Sequence, residues 1–266
     1  MTTVAAPARA GRFRMRPGLE RVVYPLGLAI TIIVVWEIAT RGGFIKRILL
    51  APFSAVVGSL WDGFVVRGWL WPHIAATASV WIVGYLLAVA AGIAVGLLVG
   101  MSSRASKIAQ PWLNAIYVTP DIALVPIFII WFGIGFQFKI WYVFLAGFFF
   151  VAVNTLTGVK ASEGRYIRVA RHFGASRRKM IATVILPGSL PYIITGLRQA
   201  AGRSLVGVVA AEFVASNTGL GFMVSVAGQT FDTARVMAGI IILVVAGIGT
   251  AEILRRVERR FDRWRA

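Results

Sequence analysis

Six long apolar runs, each about the length that a helix needs to cross a bilayer, are the feature that most constrains the fold of this chain. A spanning segment must be helical because a helix satisfies its own backbone hydrogen bonds where water is absent. Only 14% of the residues are charged, too few to cover this apolar surface in a soluble domain. We therefore expect an all-α integral membrane protein with spans near residues 22–40, 78–100, 112–132, 140–158, 192–214 and 236–254.

The formal net charge of +18 is distributed between the apolar runs and is not gathered on a polar domain. This pattern favours the positive-inside bias of membrane proteins over nucleic-acid binding. With a cytoplasmic N-terminus, 20 of the 28 Lys and Arg residues fall on the cytoplasmic side. We predict a multi-pass protein of the bacterial inner membrane with both termini cytoplasmic. Its parts are a basic arm (1–21), a transmembrane domain (22–254) with a cytoplasmic loop (159–191), and a basic tail (255–266).

Three further patterns concern the spans and the segments between them. The first span follows a basic arm but is longer than a signal-peptide core and lacks a cleavage site, so we interpret it as a retained anchor. Residues 49–73 are rich in Trp and predict an outer interfacial helix and connector. Residues 216–221 predict an outer loop that continues as a short re-entrant or interfacial helix to Asp232.

Small residues recur every four positions in the second span, at Gly84, Ala88, Gly92, Gly96 and Gly100. They share one helical face and allow another helix to approach closely. We interpret the stripe as packing within one bundle. A gliding surface in a moving transporter is the alternative.

The residues that catalysis or metal binding would need do not converge in this sequence. It has no Cys, and it has no Gly-x4-Gly-Lys-Ser/Thr phosphate loop, so it lacks the phosphate cradle and the lysine that hold ATP. The two histidines, His73 and His172, have no carboxylates at ligand spacing. We predict no catalytic, cofactor or metal site on this chain.

Acidic residues inside spans are costly and usually face protein or water. Asp121 follows Thr119 and Pro120 and precedes Pro126, so the third span is expected to break there and to leave backbone groups that line a cavity. Asp121 and Pro126 are therefore candidates for the translocation path, with a proline kink and a capping Asp as the structural alternative. On the path, Asp121 would disfavour simple anions.

Glu212 lies near the outer end of the fifth span and is a third candidate for the path. It is equally consistent with a structural ion pair or cap. As an ion pair it would need Arg203 or Arg198, which the bundle would have to bring close.

The loop between the fourth and fifth spans combines many charges with an apolar helical pattern. A short helix is expected to end at Gly174, which can adopt a left-handed backbone, and Ser176 is placed to cap a second helix. Leu186 and Pro187 are expected to stop that helix, with a fresh start at Pro191. Such a pair of helices would form a compact knob. The alternative is an amphipathic loop that lies on anionic lipid.

The loop resembles the EAA loop of binding-protein-dependent ABC importer permeases. The matching residues are Ala170, Gly174 and the tail from Leu186–Pro187 through Pro191 to Gly196, whereas Arg168 stands where the family has Glu. Residues 50–54, 124–135 and 211–221 resemble the nitrate/taurine/alkanesulfonate subfamily.

This resemblance implies the type I importer fold and inward translocation of a small sulfonate-, taurine- or nitrate-like solute by alternating access. The implied partners are two ATPase subunits that carry ATP-Mg, a second permease copy or a related permease, and an extracytoplasmic solute-binding protein. The implied ATPase-coupling residues are Arg168, Ala170, Phe173, Gly174, Ala175, Ser176, Pro187 and Pro191.

Two other functions remain open at this point. One is a proton-coupled secondary transporter that uses Asp121 or Glu212 as the proton carrier. The other is a membrane-embedded enzyme, for which the sequence offers no convergent set of reactive groups.

Overall fold

The computed structural model describes residues 17–162 and 172–262, and this part of the chain is built from helices and turns without β-strands. The helices are, in chain order, α1 (Pro17–Arg41), α2 (Phe53–Trp61), α3 (Leu70–Gly100), α4 (Ser103–Val118), α5 (Val125–Phe132), α6 (Phe136–Ser162), α7 (Arg177–Met180), α8 (Leu186–Val214), α9 (Leu220–Gln229) and α10 (Thr233–Asp262).

Five of the described segments are long and apolar enough to cross a membrane, and a sixth span results if the bent pair α4 and α5 counts as one. This agrees with the all-α, six-span expectation. Residues 163–171 of the predicted cytoplasmic loop and most of the basic arm lie outside the described residues. The division into arm, transmembrane domain and tail therefore stays a prediction.

Helices α3, α6 and α8 pack side by side and form the centre of the bundle. The small-residue stripe of α3 is buried against α6, as the packing interpretation predicts. A Cβ added at Gly96 would lie 2.5 Å from the Cβ of Thr155, and one at Gly100 would lie 2.7 Å from the Cβ of Val159. The two helices are therefore closer than any larger side chain on this stripe would allow.

The bundle has two ends, which we name by their segments. The loop end holds residues 101–103, 159–162 and 172–185, where Met180 and Ile185 pack on Val159. The far end holds residues 42–69, 133–138 and 215–232. There, a cluster of buried apolar side chains joins Leu70 of α3 to Leu220 of α9.

The predicted break of the third span at Asp121 is confirmed, but the span begins at Ser103 and not near residue 112. Helix α4 begins at Ser103, whose predecessor Ser102 caps it by accepting from the Ala105 amide at 3.3 Å. The chain then breaks at residues 119–120 and continues as a 3-10 turn, Asp121–Leu124, and α5. The two halves are bent by 92°. Proline pushes the residue before it out of the helical region, which explains the extended backbone of Thr119.

The expected helix stop at Leu186 and Pro187 is also wrong. The chain runs from α7 through a π turn, Ile181–Ile185, directly into α8, and Pro191 lies inside α8. The Leu186 amide donates to the Ile181 carbonyl, one residue further back than in an α-helix. This wider turn gives the ring of Pro187 room at the start of α8, where a missing N–H costs little.

Two segments at the far end form the expected helices with different limits. The Trp-rich segment forms α2, which continues as a π turn, Asp62–Val66, and the chain reverses at Gly68 with φ +67°. Residues 70–73 belong to α3 and not to the connector. The second segment makes a turn at residues 216–219 and then forms α9, as expected.

Candidate functional site

A row of polar side chains lies on the exposed side of α6 and α8, although both helices are long enough to cross a membrane. Asn154 of α6 donates to Gln199 of α8 at 3.0 Å. Nearer the loop end, Lys160 donates to Gln110 of α4 at 2.7 Å. Nearer the far end, the row continues to Arg203. Polar groups at this depth avoid lipid, so this face is covered by protein or lines water.

Asp121 and Arg203 form an ion pair beside the break between α4 and α5. The Arg203 Nη2 donates to the Asp121 Oδ1 at 3.1 Å, and the side chains are 41% and 21% exposed, respectively. Asp121 is therefore neither buried nor free. Discontinuous helices near the middle of a membrane are typical of solute sites in transporters, because the break presents backbone and polar groups to a path.

A small cavity of about 20 Å³ lies next to this pair. Its polar lining consists of Thr119, Asp121 and Arg203, and aromatic rings of α4 and α6 form another part of its wall. The ring of Tyr117 packs against that of Phe150 in a tilted arrangement, with ring centres 4.6 Å apart. This volume holds about one water molecule, so an organic solute does not fit beside the pair in this conformation.

Of the two structural alternatives for Glu212, the ion pair with Arg203 or Arg198 does not form. Arg203 pairs with Asp121, and Arg198 pairs with Glu258 of α10 at 2.9 Å. Glu212 points to the far end of α8, away from both arginines, because the helix places these residues at different levels. Sequence spacing gives the level of a residue along a helix but not the neighbour that faces it.

Glu212 is 1% exposed and binds the start of α9. Its Oε2 accepts from the Gly221 amide at 2.8 Å, and Thr77 of α3 donates to the same carboxylate at 2.9 Å. The Thr77 hydroxyl also accepts from the Leu220 amide at 2.8 Å. Backbone amides at a helix start lack partners within the helix, and a negative charge is favourable there. The geometry is that of a buried cap joining three helices.

Two more side chains complete this buried cap at the far end. The Gly219 amide donates to the Nδ1 of His73 at 3.2 Å, which gives that histidine a structural partner. Lys139 of α6 is 6% exposed and donates to the Ser216 hydroxyl at 3.0 Å. We name the group His73, Thr77, Lys139, Glu212 and residues 219–221 the far-end cap. From the sequence, only Glu212 of this group could be singled out, as an acidic residue inside an apolar span.

Pro126, the third candidate for the path, is exposed in the first turn of α5 and does not line the cavity beside Asp121. Proline is favourable there because the first turn of a helix needs no N–H donor from it. Its role in the break is therefore to start α5.

The described part of the knob has the predicted backbone. Gly174 has φ +70°, the left-handed conformation expected of a helix-ending glycine. The Ser176 hydroxyl accepts from the Lys179 amide at 3.4 Å, as expected for a helix cap. Phe173 is 85% exposed. Arg168 and Ala170 lie outside the described residues, and Ala175 and Ser176 follow the turn directly.

Among the described residues, no three His, Asp or Glu side chains come close enough to hold a metal ion. What this chain arranges instead is a polar face, a broken helix and an exposed aromatic at the loop end. These are features that can guide a solute and contact another subunit.

Comparisons with known proteins agree with this geometry. The sequence profile of the family described as "binding-protein-dependent transport system inner membrane component" matches residues 88–263. The taurine transport system permease protein TauC of Escherichia coli (strain K12) is 37% identical, over 95% of this chain and 94% of its own length. The putative aliphatic sulfonates transport permease protein SsuC of Bacillus subtilis (strain 168) is 32% identical, over 95% and 92%.

Among solved structures, an inward-facing conformation of the MetNI methionine ABC transporter superposes with a TM-score of 0.66. The match has 17% sequence identity and covers 73% of this chain and 97% of that chain, so it supports the type I fold. The relatives are named as transport subunits and not as enzymes, and they favour an ATP-driven importer over a proton-coupled transporter. The family implies ATPase and solute-binding partners. The chain belongs to the binding-protein-dependent transport system inner membrane components, and it is the permease subunit of an ABC importer.

Proposed function

We propose that this permease imports a small organic sulfonate, with taurine and short aliphatic sulfonates as the first candidates. The relatives named for these solutes are similar over 95% of this chain. The single observation that supports a path in this chain is the polar row along α6 and α8, which ends at Arg203 and Asp121.

The proposed orientation places the loop end in the cytoplasm. Most Lys and Arg residues of the chain lie in the arm, the tail and the segments at the loop end, which is the distribution that the positive-inside rule describes. The far-end cap and α2 then face the outside, where a solute-binding protein would release its cargo.

The proposed assembly is a homodimer with two ATPase subunits. The polar row is exposed in a single copy, and a charged face in a membrane needs a protein or water cover. A second copy facing it would enclose a path between the two α8 helices. ATP and Mg²⁺ would be held by the ATPases, because this chain has no phosphate loop.

The proposed coupling contact is the knob at the loop end, from Arg168 to Ser176. Phe173 offers an exposed apolar ring next to the Gly174 turn, which is suited to insertion in a groove of an ATPase. The continuous helix from Arg177 through the π turn to α8 is a direct mechanical link. Closure of the ATPases would move the knobs, and through Pro187 and Pro191 the α8 helices, so that access alternates.

The first test is co-purification of the chain with a co-expressed candidate ATPase after mild detergent extraction. We expect two ATPases per two permeases for the wild type and none for a variant that lacks residues 168–179. Binding that survives the deletion would contradict the proposed contact.

The second test asks whether the Gly174 turn couples ATP hydrolysis to transport. A β-branched side chain is strained at φ +70°, so Gly174→Val should reshape the knob at a local cost of about 1–2 kcal/mol. We expect normal membrane insertion and at least about a tenfold lower solute uptake per ATP hydrolysed, which is about 1.4 kcal/mol of coupling. Uptake and hydrolysis would be measured in proteoliposomes with the ATPase and the binding protein.

The matched control for this variant is Gly43→Val at the far end. Gly43 also has a positive φ, +78°, and open space around it, so the backbone strain is the same. We expect wild-type coupling in the control. Equal uptake in Gly174→Val and the wild type would contradict the coupling mechanism.

A further inference from the structure

We propose that the Arg203–Asp121 pair is a transit site for a small zwitterion, with the sulfonate bound by the Arg203 guanidinium and the ammonium bound by the Asp121 carboxylate. This inference rests on the proposed import of organic sulfonates and identifies which of them the permease itself fits. Taurine, an aminoalkyl sulfonate, carries both groups.

Both partners of the ion pair have binding capacity left. A guanidinium has five N–H donors, and the bond to Asp121 uses the Nη2 group. The Arg203 side chain is 41% exposed on the same side as the polar row. Its planar fork suits an anion with several oxygens, such as a sulfonate, better than a Lys ammonium would.

The charges of the site favour a zwitterion over a simple anion. The pair is neutral as a whole, so an anion that took Arg203 away would leave Asp121 as an unpaired charge within the membrane, which is costly. A zwitterion replaces one ion pair with two and leaves neither residue unpaired. The structure thus removes the objection that Asp121 repels a sulfonate, provided that the solute also carries an ammonium.

The two partners sit on elements that can separate. Arg203 belongs to the continuous helix α8, whereas Asp121 begins the turn after the break, and the pair is the polar link between them. The neighbouring cavity of about 20 Å³ is too small for taurine. Binding of both charged groups of the solute therefore requires the pair to open, by movement of the break relative to α8.

The experiment measures uptake of radiolabelled taurine and ethanesulfonate in proteoliposomes that contain the permease, its ATPase and its binding protein. Each solute is supplied at a concentration that saturates the binding protein, so that differences report on the permease. Stimulated ATP hydrolysis and the detergent melting temperature are measured for every variant. Arg198→Gln is the matched control, because Arg198 lies on the same helix and pairs with Glu258 instead.

We expect the wild type to import taurine faster than ethanesulfonate. Asp121→Asn should lower taurine uptake about tenfold without lowering ethanesulfonate uptake, whereas Arg203→Gln should lower both about tenfold. Arg203→Lys keeps the charge and the ion pair, so it should stay folded and lose several-fold in the uptake of both solutes. Arg198→Gln should match the wild type within about twofold.

The results that overturn the inference differ from those that overturn the proposed function. An unchanged taurine to ethanesulfonate ratio in Asp121→Asn, or wild-type uptake in both Arg203 variants, would show that the pair is only a structural brace. Loss of folding in all three variants, including the charge-retaining Arg203→Lys, would lead to the same conclusion. A wild-type complex that imports neither sulfonate would overturn the proposed substrate class itself.

Discussion

The two acidic residues inside the bundle, Glu212 and Asp121, are stabilised in opposite ways. Glu212 is enclosed at the far end and accepts hydrogen bonds from a helix start and a hydroxyl. Asp121 lies at a helix break, is partly exposed and pairs with one arginine. The first arrangement uses fixed groups on three helices. The second uses one long, mobile side chain.

This difference indicates what each residue can do. A carboxylate that accepts from backbone amides cannot exchange its partners without disturbing a helix. It is therefore suited to a contact between helices that must stay fixed. A carboxylate held by one arginine can exchange that partner for a solute at little structural cost. The location of an acid in a span is thus a weaker guide to function than the kind of group that neutralises it.

The largest expected effect is at Gly219, where the far-end cap is tightest. An added Cβ would lie 2.2 Å from the Cδ of Glu212, and φ is +121°, a value that side chains rarely adopt. Gly219→Ala should therefore cost about 3 kcal/mol or more and greatly reduce the yield of folded protein in size-exclusion chromatography. Gly228→Ala, on the same helix with open space around it, is the control and should fold normally.

A smaller effect is expected for Glu212→Gln. The amide oxygen can still accept from the Gly221 amide, but the negative charge at the start of α9 is lost. We expect the protein to lose about 1–2 kcal/mol of stability, measured as a lower melting temperature in detergent. Uptake per folded molecule should be unchanged. A folded variant that no longer transports would break the comparison, because Glu212 would then act in the path as well.

The smallest effect on stability is expected for Asp121→Asn. The Asn oxygen can still accept a hydrogen bond from Arg203, whose side chain is 41% exposed, so the guanidinium keeps a polar partner. The free energy of unfolding should therefore fall by less than about 1 kcal/mol. Melting temperatures of this variant and of Glu212→Gln, measured side by side, sharpen the comparison directly. If Asp121→Asn lost more stability than Glu212→Gln, the two assignments would be reversed. Asp121 would then be the fixed structural contact, and Glu212 the residue that can exchange its partner.

Much of the fold could be predicted because it depends on local rules. Apolar length predicted the spans, proline predicted the break before Asp121, and turn chemistry predicted Gly174 and the Ser176 cap. The continuous helix through Pro187 was missed, because the π turn that accommodates the ring has no sequence signature.

The partners of the charged residues could not be predicted for a different reason. Hydrophobic runs without a strong polar face do not fix how each helix is rotated about its axis, so the neighbour of Arg203 depends on the packing of several helices. The same holds for Thr77, which meets Glu212 although the two residues are 135 positions apart. Only the bundle as a whole determines these contacts.

The close packing of α3 on α6 has a mechanical consequence for the segment between them. Residues 101–135 leave the end of α3 and return at the start of α6, so both attachments of this segment are on the same tightly packed helix pair. Because both ends of this segment are attached to the same closely packed helix pair, the segment can tilt and twist but cannot separate from it. Asp121, which the segment carries, can therefore move only a short distance and returns to the same position, as a transporter that repeats its cycle requires.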